Sequence, residues 1–248
     1  RAVSLYLAVR ESSLDSEREL DDLSKLLQQA HRLGVEVRPW VLLDEKAGYW
    51  SNKWNYDETE ALTLKLIQRL TALGFKASWI ILDLEPPPSQ LRALSARLKK
   101  SDLPGAWKIL VEASRNGKIS EARAKYRSLV EKLHTLNIRV HAVANPIILH
   151  DFKTGKSSLE SALGTPVRGI PWDELSFMVY RPEFKKSLGP IGSDIVYAYA
   201  RRARLSKTYG SKTSLDLGEV GHIEFPEPTE GYTDPRSLRN DMAAARAA

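Results

Sequence analysis

Trp79-Ile80-Ile81-Leu82-Asp83-Leu84-Glu85-Pro86-Pro87 is the stretch that decides the fold. A short run of Trp, Ile and Leu suits a buried strand better than a helix. The prolines end its pairing and turn the chain away. Side chains alternate along a strand, so Asp83 and Glu85 share one face and Leu84 takes the other. Two carboxylates at the end of an apolar strand are costly unless something pairs or uses them. That placement raises the question of acid/base chemistry on sugars.

Working outward, the same kind of segment recurs at residues 2–10, 35–43, 138–145, 175–180 and 213–220. Helical patterns fill the gaps. Residues 15–33 put Leu20, Leu23, Leu26 and Leu27 on one face and stop at Gly34. Residues 59–73 repeat Leu62, Leu66 and Leu70 at a spacing of four and stop at Gly74. Residues 119–136 and 194–209 follow suit, and residues 88–116 hold one or two further helices. A strand-then-helix rhythm implies parallel strands joined by right-handed crossovers. A doubly wound sheet and a (β/α)8 barrel both satisfy it. No glycine-rich phosphate loop follows any strand, which counts against dinucleotide binding. Polar residues close nearly every strand, as the rim of a barrel requires. The expectation is therefore α/β, a (β/α)8 TIM-type barrel, incomplete or trimmed at the termini because six units are legible and not eight. It would be a single domain over 1–248.

The composition narrows the class. A chain of 248 residues with 42% hydrophobic content can bury a full core. Its apolar runs are too short for a transmembrane segment. It begins at Arg1, already inside a strand-like segment, which suggests a processed or trimmed chain. A secreted or periplasmic location is favoured. With no cysteine, disulfides and thiolate chemistry are excluded. The net charge of +6 comes from scattered Lys and Arg without a recognition motif, so no nucleic-acid partner is expected. An anionic polymer or envelope surface stays open. Five histidines show no metal-ligand spacing, and neither a metal nor another cofactor is expected.

Four residues are catalytic candidates. Glu85 and Asp83 form the first pair, since a like charge nearby keeps one carboxyl protonated. Glu219 ends another strand between Gly218 and Gly221, and Tyr180 closes Phe177-Met178-Val179-Tyr180-Arg181. Two carboxylates facing one pocket are what glycoside hydrolysis uses. Loop residues Tyr49, Trp50, Trp54 and Tyr56 bring four aromatics together where a loop normally has no core for them. Tyr49, Trp50 and Trp54, with Trp40 as a floor, are candidates to stack on sugar rings. Asn145 and Arg181 are further candidate contacts to the substrate.

At these residues the chain resembles TIM-barrel glycoside hydrolases in two ways. Glu85-Pro86 followed by Gly218-Glu219-Val220-Gly221 is similar to the clan A retaining enzymes, which implies Glu85 as acid/base and Glu219 as nucleophile. Asp83-Leu84-Glu85 with Met178-Val179-Tyr180 resembles the chitinase-like enzymes, which implies Glu85 as proton donor assisted by Asp83 and Tyr180. Leu84, Ile81 and Arg181 depart from those patterns. The expected activity is cleavage of a polysaccharide or oligosaccharide. A non-catalytic glycan-binding barrel is the third possibility.

Overall fold

The computed structural model describes residues 4–117, 119–189, 191–206, 209–218, 222–223 and 229–248, with the side chains of 186–188, 222–223 and 229–230 set aside. The strands are β1 (Ser4–Arg10), β2 (Glu36–Leu42), β3 (Trp79–Leu84), β4 (Arg139–Ala144), β5 (Glu174–Met178), β6 (Thr213–Asp216), β7 (His222–Ile223) and β8 (Thr229–Glu230). The helices are α1 (Glu17–Arg32), α2 (Tyr56–Ala72), α3 (Pro88–Lys99), α4 (Leu103–Arg115), α5 (Ile119–Thr135), α6 (Leu149–Thr154), α7 (Ser158–Leu163), α8 (Arg181–Leu188), α9 (Asp194–Arg204) and α10 (Pro235–Ala247).

The first six strands form one sheet in sequential order, β1-β2-β3-β4-β5-β6, while β7 and β8 make a separate antiparallel pair. The β1–β2, β2–β3 and β5–β6 ladders are all parallel. This is the barrel-type α/β arrangement expected, with six strands in the sheet. All six strands lie within a few residues of the segments legible in sequence. The predicted 213–220 strand is the shortest survivor, ending at Asp216.

Contacts divide the chain into two compact units: 1–142 with 157–173, and 143–156 with 174–248. In the first unit, α2 and α5 supply much of the core. Leu62, Leu66 and Leu70 of α2, and Tyr126, Leu129, Val130 and Leu133 of α5, are all buried. They are of a kind with Ile80, Leu82 and Leu84 of β3, none of which is exposed. Each Leu or Ile buried this way stabilises by about 1.5–3 kcal/mol relative to exposure.

The other face of β1–β4 is polar, and it curves. Register places Tyr6 opposite Arg38, Ala8 opposite Trp40, and Trp40 opposite Ile81. Alternation then puts Tyr6, Arg10, Arg38, Trp40 and Asp83 on one face. In a flat sheet, β1 and β4 would stand about 14 Å apart, three strand spacings. Yet the rings of Tyr6 and His141 meet edge to face with centroids 5.5 Å apart. The sheet must bend strongly toward this face, as the start of a barrel does. At its N-terminal end, the Trp79 ring has the guanidinium carbons of Arg38 and Arg139 each 4.0 Å from its centroid. Its indole N–H donates to Glu36 Oε1 at 3.1 Å. Burial alone would raise the Glu36 carboxyl. Hydrogen bonds from Arg38 and Ser4, with the Arg38 and Arg139 charges, bring it below its ordinary value instead.

In the second unit, β5 and β6 carry Ser176 donating to Asp216 Oδ2 at 2.5 Å. Burial pushes the Asp216 carboxyl up to about 6, against that hydrogen bond and with help from the Glu174 charge. Asp241 of α10 is fully buried and accepts from Arg181 Nε, Ser193 Oγ and the Tyr232 hydroxyl, at 2.6, 2.5 and 2.5 Å.

Candidate functional site

The carboxyl ends of β1–β3 bring several sequence candidates together in the first unit. Asp83 is 1% exposed at the end of β3, on the concave face. Tyr49 lies buried close enough for the Asp83 charge to act on its phenol, and the Arg10 side chain hydrogen-bonds it. Burial raises the Tyr49 phenol above its ordinary value, Arg10 opposes, and Asp83 reinforces. Tyr49 reaches this position with φ of +62°, in the left-handed region that bulky residues seldom adopt. Backbone strain of this kind persists only where the surroundings over-determine it, and it clusters at functional sites.

The loop after β2 imposes that conformation. Gly48, at φ +97°, ends a turn in which Ala47 and Gly48 donate back to Asp44 and Glu45. Leu43 N–H donates to Tyr49 O at 2.9 Å, closing the loop onto the strand end. Ser51 then pairs with the end of β3: its N–H donates to Asp83 O at 2.9 Å, and Glu85 N–H donates to Ser51 O at 3.2 Å. Backbone bonds to Ser51 therefore hold the chain at Asp83 and Glu85. The Glu85 side chain is half-buried.

Trp40, half-buried on β2, adds a polar handle. Its indole Nε1 is buried and has no hydrogen-bond partner among the described residues. Buried donors are almost always satisfied, so one that is not calls for an explanation. On the same face of the sheet, one strand over and one residue pair on, sits Asp83.

The remaining loop residues are taken up by the protein itself. Asn55 Oδ1 accepts from Asn52 N, and Asn55 Nδ2 donates to Ala47 O and Trp50 O. Lys53 is almost buried, and its ammonium donates to Ala113 O at 2.7 Å, Ser161 O at 2.9 Å and Gly117 O at 3.4 Å. Desolvation brings it down to about 8. Trp54 donates to Asn116 O at 3.0 Å, and its ring lies so close to Gly164 that a Cβ there would stand 2.2 Å from it. Trp50 meets Tyr49 edge to face, with centroids 5.0 Å apart. The expected sugar-stacking platform is thus largely an internal framework, with Trp54 still 36% exposed.

Asn145, Tyr180 and Arg181 belong to the second unit. Asn145 Oδ1 accepts from Ile147 N at 3.1 Å and so caps the turn after β4. The Tyr180 ring packs 3.5 Å from where a Gly218 Cβ would be. Arg181 pairs with buried Asp241. Glu219, expected as the nucleophile, lies outside the described residues. Arg10, the last residue of β1, was not among the sequence candidates. Its signal was that position, two residues past Ala8 on the same face as Trp40. Among the described residues there is no group of three or more His, Asp or Glu that could hold a metal ion.

No family model matches the chain, and no curated protein does. Among solved structures, it is similar to the crystal structure of a presumed sugar phosphate isomerase/epimerase from Anabaena variabilis, at 11% identity and a TM-score of 0.36. The match covers 82% of this chain and 56% of that protein, so the chain spans little more than half of its neighbour's length. A likeness this distant carries neither substrate nor reaction across. The expectation of a glycoside hydrolase, with Glu85 as donor and Glu219 as nucleophile, is withdrawn: the similar structure is described as an isomerase/epimerase and not as a hydrolase.

Proposed function

We propose that the first unit binds a small polyhydroxylated molecule of the carbohydrate class at the carboxyl ends of β1–β3. The observation that carries this is the buried Trp40 indole N–H without an acceptor among the described residues, on the face that also holds Asp83 and Arg10, with Tyr49 of the following loop against them. An indole donor, a carboxylate acceptor and a guanidinium suit closely spaced hydroxyls, and the Trp40 ring offers a flat apolar surface to C–H groups. Titration calorimetry against monosaccharides, sugar acids and sugar phosphates tests it. Trp40→Phe keeps an aromatic face, though a smaller one, and loses the donor, and it should weaken binding about fivefold to tenfold. Asp83→Asn should weaken it further, by about tenfold to a hundredfold, because a charge-assisted bond is lost. No binding across the panel, or binding indifferent to both changes, would overturn the proposal.

A second reading is that the site moves a proton on its ligand. It is favoured by the placement of a buried carboxylate beside a phenol that burial keeps protonated. Asp83 would take a C–H proton next to a carbonyl while Tyr49 donates toward the oxygen. Exchange of that hydrogen for deuterium, followed by NMR, should occur with the native chain and stop in Asp83→Asn.

A further inference from the structure

The crossover from β3 to β4 needs one helix, and α5 supplies it, with Tyr126, Leu129, Val130 and Leu133 all fully buried. The hairpin of α3 and α4 adds little to that core: α3 has no buried residue, and α4 has only Ala106. Its tip turns large apolar side chains outward. Leu98 is 55% exposed, Leu103 66% and Trp107 67%. The turn between the helices is ordered. Asp102 caps α4 by accepting from Gly105 N at 2.9 Å, and it pairs with Arg97 at 2.9 Å. Leu103 and Trp107, four residues apart, share one face of α4. Lys99, Lys100 and Lys108 flank them, all exposed, with Lys108 3.8 Å from Glu112; Asp102, already engaged by Arg97, is the one acid in residues 97–108.

We infer that this tip docks on the surface of an anionic lipid bilayer. Trp and Leu enter the boundary between headgroups and acyl chains, while flanking lysines meet anionic headgroups. Exposed apolar side chains in a basic rim answer both properties of such a surface, whereas a nucleic acid would satisfy only the charge. No helix among the described residues is long and apolar enough to cross a membrane, so the contact is with the surface. The inference is independent of the ligand proposed for β1–β3.

Co-sedimentation with phosphatidylcholine vesicles, with and without phosphatidylglycerol, tests it on the 248-residue chain. The chain should pellet with the anionic vesicles and stay in solution with the neutral ones. The combined change Lys99→Glu, Lys100→Glu and Lys108→Glu should lower partitioning by more than about tenfold. Leu103→Ser with Trp107→Ser should lower it comparably, with thermal unfolding unchanged because these side chains support no core. Failure to bind anionic vesicles overturns the inference, and so does binding that survives either variant. Self-association through these residues without vesicle binding would assign the face to a second copy and overturn it equally.

Discussion

The loop after β2 and the strand ends beside it look alike in sequence, since both are rich in aromatic and polar residues, but the fold uses them differently. In the loop, Asn52, Lys53, Trp54 and Asn55 spend their polar atoms on backbone groups of the protein. On the strand face, Trp40 keeps a buried donor without an acceptor among the described residues, and Tyr49 is held in a strained conformation against Arg10 and Asp83. Polar groups satisfied internally make a scaffold. A buried donor without an acceptor among the described residues, as at Trp40, marks a candidate site.

If this contrast is right, changes on the scaffold side should reduce stability, and changes on the strand face should reduce binding. The largest effect is expected at Glu160 of α7. It is fully buried and accepts from Arg123 Nη2, Arg168 Nε and the backbone N–H groups of Val167 and Arg168. Glu160→Ala removes the buried carboxylate shared by two arginines and two backbone N–H groups, and should cost about 3–5 kcal/mol in urea unfolding. Gly164→Ala comes next. Its Cβ would collide with the Trp54 ring, and its φ of +71° strains an L residue, so a loss of about 1–3 kcal/mol is expected. Lys53→Met strands three carbonyls and should cost about 1–3 kcal/mol. Trp40→Phe should change stability by less than about 1 kcal/mol while weakening ligand binding. A stability loss as large as that of Gly164→Ala would erase the distinction between scaffold and site.

The pH dependence sharpens the scaffold side further. Lys53 titrates near 8 in the fold, against an ordinary value of 10.5. Between those values the unfolded chain holds the extra proton, so the Lys53 contribution to stability rises with pH and is complete above the unfolded value. Tyr126 works the other way. Burial holds its phenol well above the ordinary 10.0, so the unfolded chain loses its proton first and stability falls as pH climbs past that point. Chemical unfolding across this alkaline range should show the rise removed in Lys53→Met and the fall reduced in Tyr126→Phe.

Strands and helices were legible because their periods are local: leucines every three or four residues for α1 and α2, and short apolar runs for β3 and β4. The α3–α4 region was legible as helical, but not as a hairpin that exposes large apolar side chains at its tip, since its leucine spacing matches that of a core helix. Site residues were legible only by position. Asp83 at a strand end was visible as a costly carboxylate, whereas the roles of Arg10 and Tyr49 depend on a turn that returns Tyr49 to the strand.

From the sequence alone came the α/β order, the parallel rhythm, the strand that ends in Asp83 and Glu85, and the absence of cysteine chemistry. Local propensity, alternation and composition carry those, because they need no distant partner. Tertiary structure decided the curvature that brings Tyr6 to His141, the internal use of Lys53, Trp54 and Arg181, and the burial of a Trp40 N–H that finds no acceptor among the described residues. Each of these depends on which groups meet across long sequence separations, and a buried polar atom has no meaning as scaffold or site until its neighbours are known.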